Sequence, residues 1–185
     1  PQGEWYASDE RPNCKVRVGD LATGLDVDEK TVACGDELVK YDKCVLATGS
    51  YPFVPPIPGK DLPGVFVYRT IDDLEALGPY QKAHGVTTAA VIGGGLLGLE
   101  AAKAMHDLGM KTHILEYAPI LMCRQIDQGG HDALVGMVED LGLEVHCDAR
   151  TKAFEADADG RVSRVTFETE GCDDLDVGIV VVSAG

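Results

Sequence analysis

Three glycines, Gly93, Gly95 and Gly98, stand in the spacing GxGxxG, and an acid, Glu116, follows 23 residues after the first of them. Glycines at this spacing permit a tight turn, let the backbone approach a pyrophosphate and let a helix pack closely on a strand. The N-terminus of that helix would offer free N–H groups and a partial positive charge to the phosphates. An acid about 20 residues further on can hydrogen-bond a ribose 2′-OH. The four residues therefore predict a dinucleotide-binding site.

The acid also predicts which nicotinamide cofactor is preferred. A carboxylate at Glu116 would repel a 2′-phosphate, so we expect NADH to bind in preference to NADPH. The other residues of the turn that we expect to contact the cofactor are Gly94, Leu96 and Leu97. The alternative for the motif is a glycine-rich turn that only packs a helix against a sheet.

The residues around the glycines predict the elements that position them. Residues 88–92 are apolar and partly β-branched, as a strand buried on both faces should be. Apolar side chains then recur on one face of a helix, at Leu97, Ala101, Ala104, Met105 and Leu108. A second strand is expected at 111–116, a helix at 132–141 and a third strand at 143–147. The order βαβαβ is typical of a nucleotide-binding half of a doubly wound fold.

The remaining sequence predicts short strands and one further helix. Strands are expected at 14–18, in a hairpin over 25–34 and at 38–41, which together form a small antiparallel meander. An apolar strand at 44–47 should end at Thr48 and Gly49, ahead of a proline-rich irregular stretch. The closing segment from 177 is also an apolar strand that ends at a glycine, Gly185. The two similar endings suggest two related nucleotide folds, the first of them truncated.

Between these parts, a strand over 64–70 leads into a helix. Thr70 and Asp73 form a capping-box pattern at its start. Gly78 and Pro79 are expected to stop it. A hairpin about residues 157–160 precedes the closing strand.

Composition narrows the class of protein. The chain has 185 residues, of which 45% are hydrophobic, and this is typical of one globular domain or two small ones. Its net charge of −15 disfavours nucleic acid and anionic membranes as partners. We expect no membrane span and no signal peptide. The six cysteines and five histidines show no ligand spacing, so we expect no metal site and reduced thiols in the cytoplasm, or in an organelle of a eukaryote. The ends at Pro1 and Gly185 suggest a fragment.

Four stretches, 41–59, 64–77, 91–105 and 112–130, carry a resemblance to a known family. Their order resembles the flavoprotein reductases of the pyridine nucleotide–disulfide oxidoreductase superfamily. In detail they are similar to the large subunits of assimilatory NAD(P)H nitrite reductases. The resemblance implies an α/β fold, with a Rossmann-like three-layer NAD-binding domain with a β-meander, inserted in a partial FAD-binding domain. The implied boundaries are 1–70 for the partial FAD domain and 71–185 for the NAD(P)H domain.

The resemblance also assigns residues to the two cofactors. Thr48, Gly49 and Ser50 would line the FAD side. Glu100 would lie beside the nicotinamide, although an ordinary helix-surface acid is the alternative. Gly185 would approach the cofactor at the end of the closing strand.

The function implied is an electron-entry module, in which a hydride passes from NADH to FAD. The electrons would then reach sirohaem and iron–sulfur centres outside this chain, in the rest of the same polypeptide, to reduce nitrite to ammonia. No catalytic acid, base or nucleophile is expected, because the cofactors carry the chemistry. The fragment alone is expected to be inactive. A second copy of the chain or a small subunit is a further candidate partner. Alternatives are a reductase for ferredoxin, rubredoxin or oxygen, and a non-catalytic NADH-binding redox sensor.

Overall fold

The computed structural model describes residues 14–184 of the chain. It divides into two compact units, Pro1–Gly49 and Ser50–Gly185, and each is described by itself. No helix in the described part is both long and apolar enough to cross a bilayer.

The first unit contains an antiparallel three-stranded sheet. Its strands lie in the order β1 (Ala22–Asp26), β2 (Thr31–Cys34), β3 (Glu37–Lys40). The β1–β2 turn is closed by Asp26, whose carboxylate accepts hydrogen bonds from the N–H groups of Asp28 and Glu29 at 3.0 and 2.8 Å. The hairpin and the last strand of the predicted meander are therefore confirmed.

Two strands expected in the first unit, at 14–18 and 44–47, are not formed. In the second stretch Val45 and Leu46 are 87% and 70% exposed, so their apolar side chains have nothing to pack against. A strand needs a neighbour for its backbone groups and a surface for its side chains. The described part of this unit supplies neither to residues 44–47, and the prediction was wrong for that reason.

The second unit is built on a five-stranded sheet in which every pairing is parallel. In spatial order its strands are β4 (Val65–Val67), β11 (Ile179–Val182), β5 (Thr88–Ile92), β6 (Lys111–Leu115) and β7 (Glu144–His146). The chain runs from β5 to β6 on one side, whereas β11 and β4 lie on the other. The strand order therefore reverses between β5 and β11, which is where open α/β sheets bind ligands at their carboxyl edge.

Two further layers cover the faces of this sheet. The helices α1 (Ile71–His84), α2 (Leu96–Asp107) and α3 (Gln128–Asp140) pack on one face. The antiparallel strands β8 (Thr151–Ala156), β9 (Val162–Phe167) and β10 (Leu175–Asp176) pack on the other. Residues of β5 alternate between the two cores, with Val91 facing the helices and Ile92 facing the second sheet. The structure thus confirms the three-layer α/β fold.

Helix α1 begins as predicted and ends later than predicted. The hydroxyl of Thr70 accepts the N–H of Asp73 at 3.2 Å, and the Asp73 carboxylate accepts the N–H of Thr70 at 2.7 Å. The expected stop at Pro79 was wrong, because the helix continues to His84 and ends at a left-handed Gly85. Tyr80, one residue after the proline, packs edge-on against Phe66 with ring centroids 5.2 Å apart. This packing holds the turns that the proline weakens.

Helix α3 begins earlier than predicted. Its N-cap is Asp127, whose carboxylate accepts the N–H of Gly130 at 2.9 Å. The predicted start at residue 132 was wrong, because a side-chain cap offsets the poor helix propensity of Gly129 and Gly130 in the first turn.

Candidate dinucleotide-binding site

Two of the three glycines are required by close backbone packing. Gly93 follows β5 with a φ of +112°, and a Cβ there would lie 2.7 Å from the carbonyl oxygen of Ser183, the residue after β11. A Cβ on Gly98 would overlap the carbonyl oxygen of Gly93. Only glycine lets α2 start this close to the end of β5.

Gly95 differs, because open space lies above it. A Cβ built there would meet no atom within 4 Å. Gly95 is the N-cap of α2 and no side chain caps this helix start, so its first N–H groups remain available. Leu96 and Leu97, the next two residues, are 67% and 45% exposed. Open space in front of an uncapped helix N-terminus is what a phosphate group requires.

Glu116 follows β6 directly and its carboxylate contacts the glycine turn. Oε2 accepts a hydrogen bond of 2.6 Å from the N–H of Gly94, and Oε1 accepts one of 2.7 Å from the N–H of Ala118. The Glu116 backbone N–H donates to the carbonyl of His146 at 2.8 Å. The acid is thus fixed at the carboxyl edge of the sheet, next to the turn.

A cleft of about 780 Å³ opens at this edge and brings the predicted residues together. Gly93, Gly95, Leu96, Leu97 and Glu116 all line it. The volume is within the range of small-molecule and cofactor sites, about 300–1,000 Å³. Gly94 and Gly98 support the turn from behind and are not among the lining residues.

Sequence reasoning missed several residues of the cleft. The guanidinium of Arg150, after β7, donates to the hydroxyl of Tyr117 at 2.9 Å and lies 5.0 Å from the centre of its ring. Ser183 also lines the cleft, and its buried hydroxyl has no hydrogen-bond partner among the described residues. All three follow the carboxyl end of a parallel strand, so the rule that ligands bind at that edge could have found them.

Glu100 lies one turn into α2 and contacts the cleft indirectly. Its Oε1 accepts a hydrogen bond of 3.2 Å from the hydroxyl of Tyr68, which lines the cleft. Burial and the negative charge of Glu100 raise the pKa of Tyr68 above its ordinary value of 10.0, so the phenol stays protonated at neutral pH. A position of Glu100 beside a nicotinamide remains a prediction.

The residues predicted to face FAD are divided between the two units. Thr48 and Gly49 end the first unit and Ser50 begins the second, and all three are exposed. Gly185 lies outside the described residues, whereas its neighbour Ala184 lines the cleft. The roles of these residues remain predictions.

The three-layer fold and the glycine turn at its switch point define a Rossmann-type dinucleotide-binding module. The chain belongs to the pyridine nucleotide-disulphide oxidoreductase family, whose model matches residues 7–185. Its members are FAD-dependent NAD(P)H oxidoreductases.

Three relatives illustrate the range of the similarity. The chain is 42% identical over 177 residues to the large subunit of NADH nitrite reductase from Escherichia coli K12, covering 95% of this chain and 20% of the relative. It is 39% identical over 130 residues to an NADH oxidase from Methanocaldococcus jannaschii, covering 66% of this chain and 29% of the relative. A ferredoxin reductase structure from Rhodopseudomonas palustris matches with a TM-score of 0.77 at 27% identity, covering 90% of this chain and 40% of that one.

The family implies FAD and NAD(P)H, and the described residues fit a dinucleotide. The space above Gly95 and the uncapped start of α2 suit its pyrophosphate. Within residues 14–184 this is the single GxGxxG turn. The observed fit therefore concerns one dinucleotide, and its assignment to the nicotinamide nucleotide stays a prediction.

Proposed function

We propose that this chain is the NADH-binding, electron-entry module of a nitrite reductase. The observation that carries the proposal is the 42% identity to the E. coli nitrite reductase large subunit over 95% of the chain. The chain spans about a fifth of the length of that relative, so the reduction of nitrite itself belongs to parts outside it. The sirohaem and iron–sulfur centres and the rest of the polypeptide are included in the proposal on the same ground.

In this role the glycine turn holds the pyrophosphate. The N–H groups at the start of α2 donate to the phosphates, and the helix dipole adds favourable electrostatics. Glu116 accepts a hydrogen bond from the adenosine ribose while keeping its contact with Gly94. A 2′-phosphate would meet this carboxylate, which supports a preference for NADH over NADPH.

The other end of the cleft positions the nicotinamide. When bound, the reduced nicotinamide supplies a hydride for the flavin, so the chain's residues have to bind and orient rather than transfer protons. Tyr68 and Glu100 form a fixed pair on this side of the cleft, and the protonated phenol offers an oriented polar edge. Thr48, Gly49 and Ser50 are proposed to face FAD.

The test uses a full-length protein that contains this chain. We expect a bound flavin, visible in its absorbance spectrum, and NADH oxidation coupled both to ferricyanide and to nitrite. Gly95→Val should abolish both couplings, because it blocks the entry of NADH. NADH oxidation with ferricyanide but never with nitrite would contradict the nitrite part, and a flavin-free protein that binds NADH would support a redox sensor instead.

A second candidate is an NADH-dependent flavin reductase that delivers electrons to ferredoxin, rubredoxin or oxygen. The similarity to the M. jannaschii NADH oxidase and to the R. palustris ferredoxin reductase favours it. The same full-length protein distinguishes the two candidates. Oxygen consumption or ferredoxin reduction at the rate of NADH oxidation, with no ammonia formed from nitrite, would establish the alternative.

A further inference from the structure

Three side chains with metal-ligating atoms meet at the edge of the parallel sheet. His113 lies in β6, and Glu144 and His146 lie in β7, the edge strand. His113 pairs with Glu144 across the two strands, and His146 is two residues further on, so all three side chains project from the same face. None of them lines the dinucleotide cleft.

The distances between the ligating atoms match a metal's coordination sphere. His113 Nδ1 lies 3.0 Å from His146 Nε2 and 3.2 Å from Glu144 Oε2, and all the ligating atoms lie within 4.8 Å of one another. Tetrahedral zinc with bonds of about 2.0–2.1 Å holds its ligand atoms about 3.3 Å apart. Two of the three ligand-to-ligand distances are therefore already close to those of a tetrahedral zinc site.

Hydrogen bonds within the cluster cannot satisfy all three side chains at once. When both imidazoles are neutral, a single N–H proton forms the hydrogen bond between His113 Nδ1 and His146 Nε2. If His146 carries it, the Glu144 carboxylate faces the lone pair of His113. If His113 carries it, one proton must serve both neighbours. A divalent cation would accept a lone pair from each of the three groups.

The surroundings of the cluster fix its ligands and leave a path for an ion. The His113 side chain is buried, with 4% of its surface exposed. Lys111 donates to the other carboxylate oxygen, Glu144 Oε1, at 2.9 Å and so orients Oε2 toward the histidines. The Glu144 side chain is 45% exposed, which gives an ion a path from solvent.

We propose that His113, Glu144 and His146 form a binding site for a divalent transition-metal ion, Zn²⁺, with its fourth position open to solvent. Two imidazoles and a carboxylate are a donor set that zinc accepts in proteins, with three protein ligands and one exchangeable position. The bound ion would join the edge strand β7 to β6. The site is independent of the proposed nitrite reductase function.

The test uses the full chain, stripped of metal, with Co²⁺ as a spectroscopic probe and Zn²⁺ as a competitor. We expect one Co²⁺ per chain, visible absorption without the near-ultraviolet band of a thiolate ligand, and displacement by Zn²⁺. Zn²⁺ should also raise the melting temperature, since it binds the folded state. His146→Phe and Glu144→Gln should each weaken binding by about tenfold or more.

Matched control variants show whether Co²⁺ binds at this cluster or at other histidines and carboxylates of the chain. His106→Phe, which removes an imidazole from α2, and Glu155→Gln in β8 should leave Co²⁺ affinity unchanged. Circular dichroism of the metal-free variants checks folding, and Glu144→Gln, at a half-exposed carboxylate, decides the result if His146→Phe does not fold. No Co²⁺ binding by the unmodified chain, a thiolate band, or unchanged affinity in the folded variants would overturn the proposal.

Discussion

The Oε2 atom of Glu116 accepts a 2.6 Å hydrogen bond from the backbone N–H of Gly94, and this contact joins the end of β6 to the turn after β5. The two residues are 22 positions apart in sequence, with all of α2 between them. The acid predicted to bind a ribose therefore also holds the turn predicted to bind the phosphates. Changes at Glu116 should affect both cofactor choice and the order of the turn.

Glu116→Gln should reduce the discrimination between NADH and NADPH. The amide oxygen can still accept the N–H of Gly94, but the charge that repels a 2′-phosphate is gone. We expect the ratio of the two dissociation constants to fall by about tenfold, equivalent to about 1.4 kcal/mol. Fluorescence titration with both nucleotides measures the ratio. Glu139→Gln, at an exposed acid near the end of α3, is the control, and an unchanged ratio in the Glu116 variant would refute this role.

Gly95→Val should abolish NADH binding without unfolding the chain. The side chain would enter the open space above the turn, where a Cβ meets no protein atom within 4 Å and where the pyrophosphate is proposed to lie. Isothermal titration with NADH and thermal melts of the same samples measure both effects. Gly136→Val, at an exposed glycine in α3, should retain NADH affinity. Normal affinity in the Gly95 variant would show that the phosphates lie elsewhere.

Gly98→Ala should destabilise the fold by about 3 kcal/mol, because its Cβ would overlap the carbonyl of Gly93 and force α2 away from β5. Gly136→Ala is the matched control, since it adds a methyl group inside a helix where nothing lies within 4 Å. That change should stabilise the chain by about 0.4–1 kcal/mol. Urea unfolding of both variants gives the comparison. Equal changes in the two would contradict the close contact of helix and turn.

Asp73→Ala should destabilise the chain by about 1 kcal/mol at neutral pH through loss of the capping box of α1. Partial burial tends to raise the pKa of Asp73, but hydrogen bonds from Thr70 and from the Arg69 N–H outweigh it and lower the pKa below its ordinary value of 3.8. The native state thus favours the carboxylate, and its contribution is present above about pH 3.8 and lost as the pH falls through the lowered value.

The free energy of unfolding measured against pH checks this effect at Asp73. The difference between the unmodified chain and Asp73→Ala should be constant near neutral pH and shrink below about pH 3.8. Asp72→Ala, at the neighbouring exposed acid, removes a charge from the first turn but no cap, so its loss should be smaller than that of Asp73→Ala. A difference between Asp73→Ala and the unmodified chain that persists at low pH would exclude the carboxylate as its source.

Glu100→Gln should lower the pKa of Tyr68. Burial is the larger cause of the raised pKa of Tyr68, and the negative charge of Glu100 is the second. Removing that charge should shift the titration of Tyr68 to lower pH, while burial keeps its pKa above the ordinary value. Difference absorbance against the matching Tyr68→Phe variants isolates this phenol from the other tyrosines. Glu75→Gln should leave the titration unchanged. A Tyr68 titration unmoved by Glu100→Gln would mean that the pair does not interact in solution.

The elements around the glycine turn could be predicted closely because the sequence patterns that specify them are local. The strand at 88–92 was predicted with the bounds of β5, and the requirement for glycine at Gly98 reflects its contact with Gly93 within one strand–turn–helix unit. The capping box at Thr70 is equally local. Such features depend on residues a few positions apart, which is the range over which sequence patterns carry information.

What could not be predicted depends on neighbours distant in sequence. The stretch 44–47 is apolar enough for a strand, but the described part of its unit has no partner for it. Pro79 is held inside a helix by the packing of Tyr80 on Phe66. The histidines 113 and 146 lack ligand spacing along the chain and meet only because β6 pairs with β7.

The position of β11 between β4 and β5 also has a consequence during synthesis. Val65 of β4 pairs with Val180 of β11, which is synthesised 115 residues later. The strand β4 therefore cannot pair until β11 has been made. At about 5–20 residues per second, translation of that interval takes on the order of ten seconds. During this time β4 has no strand beside it and one edge of β5 is open, which is the kind of surface that nascent chains pair incorrectly or that chaperones cover. The strand that lies next to the glycine turn is therefore also the one that covers the facing edges of β4 and β5.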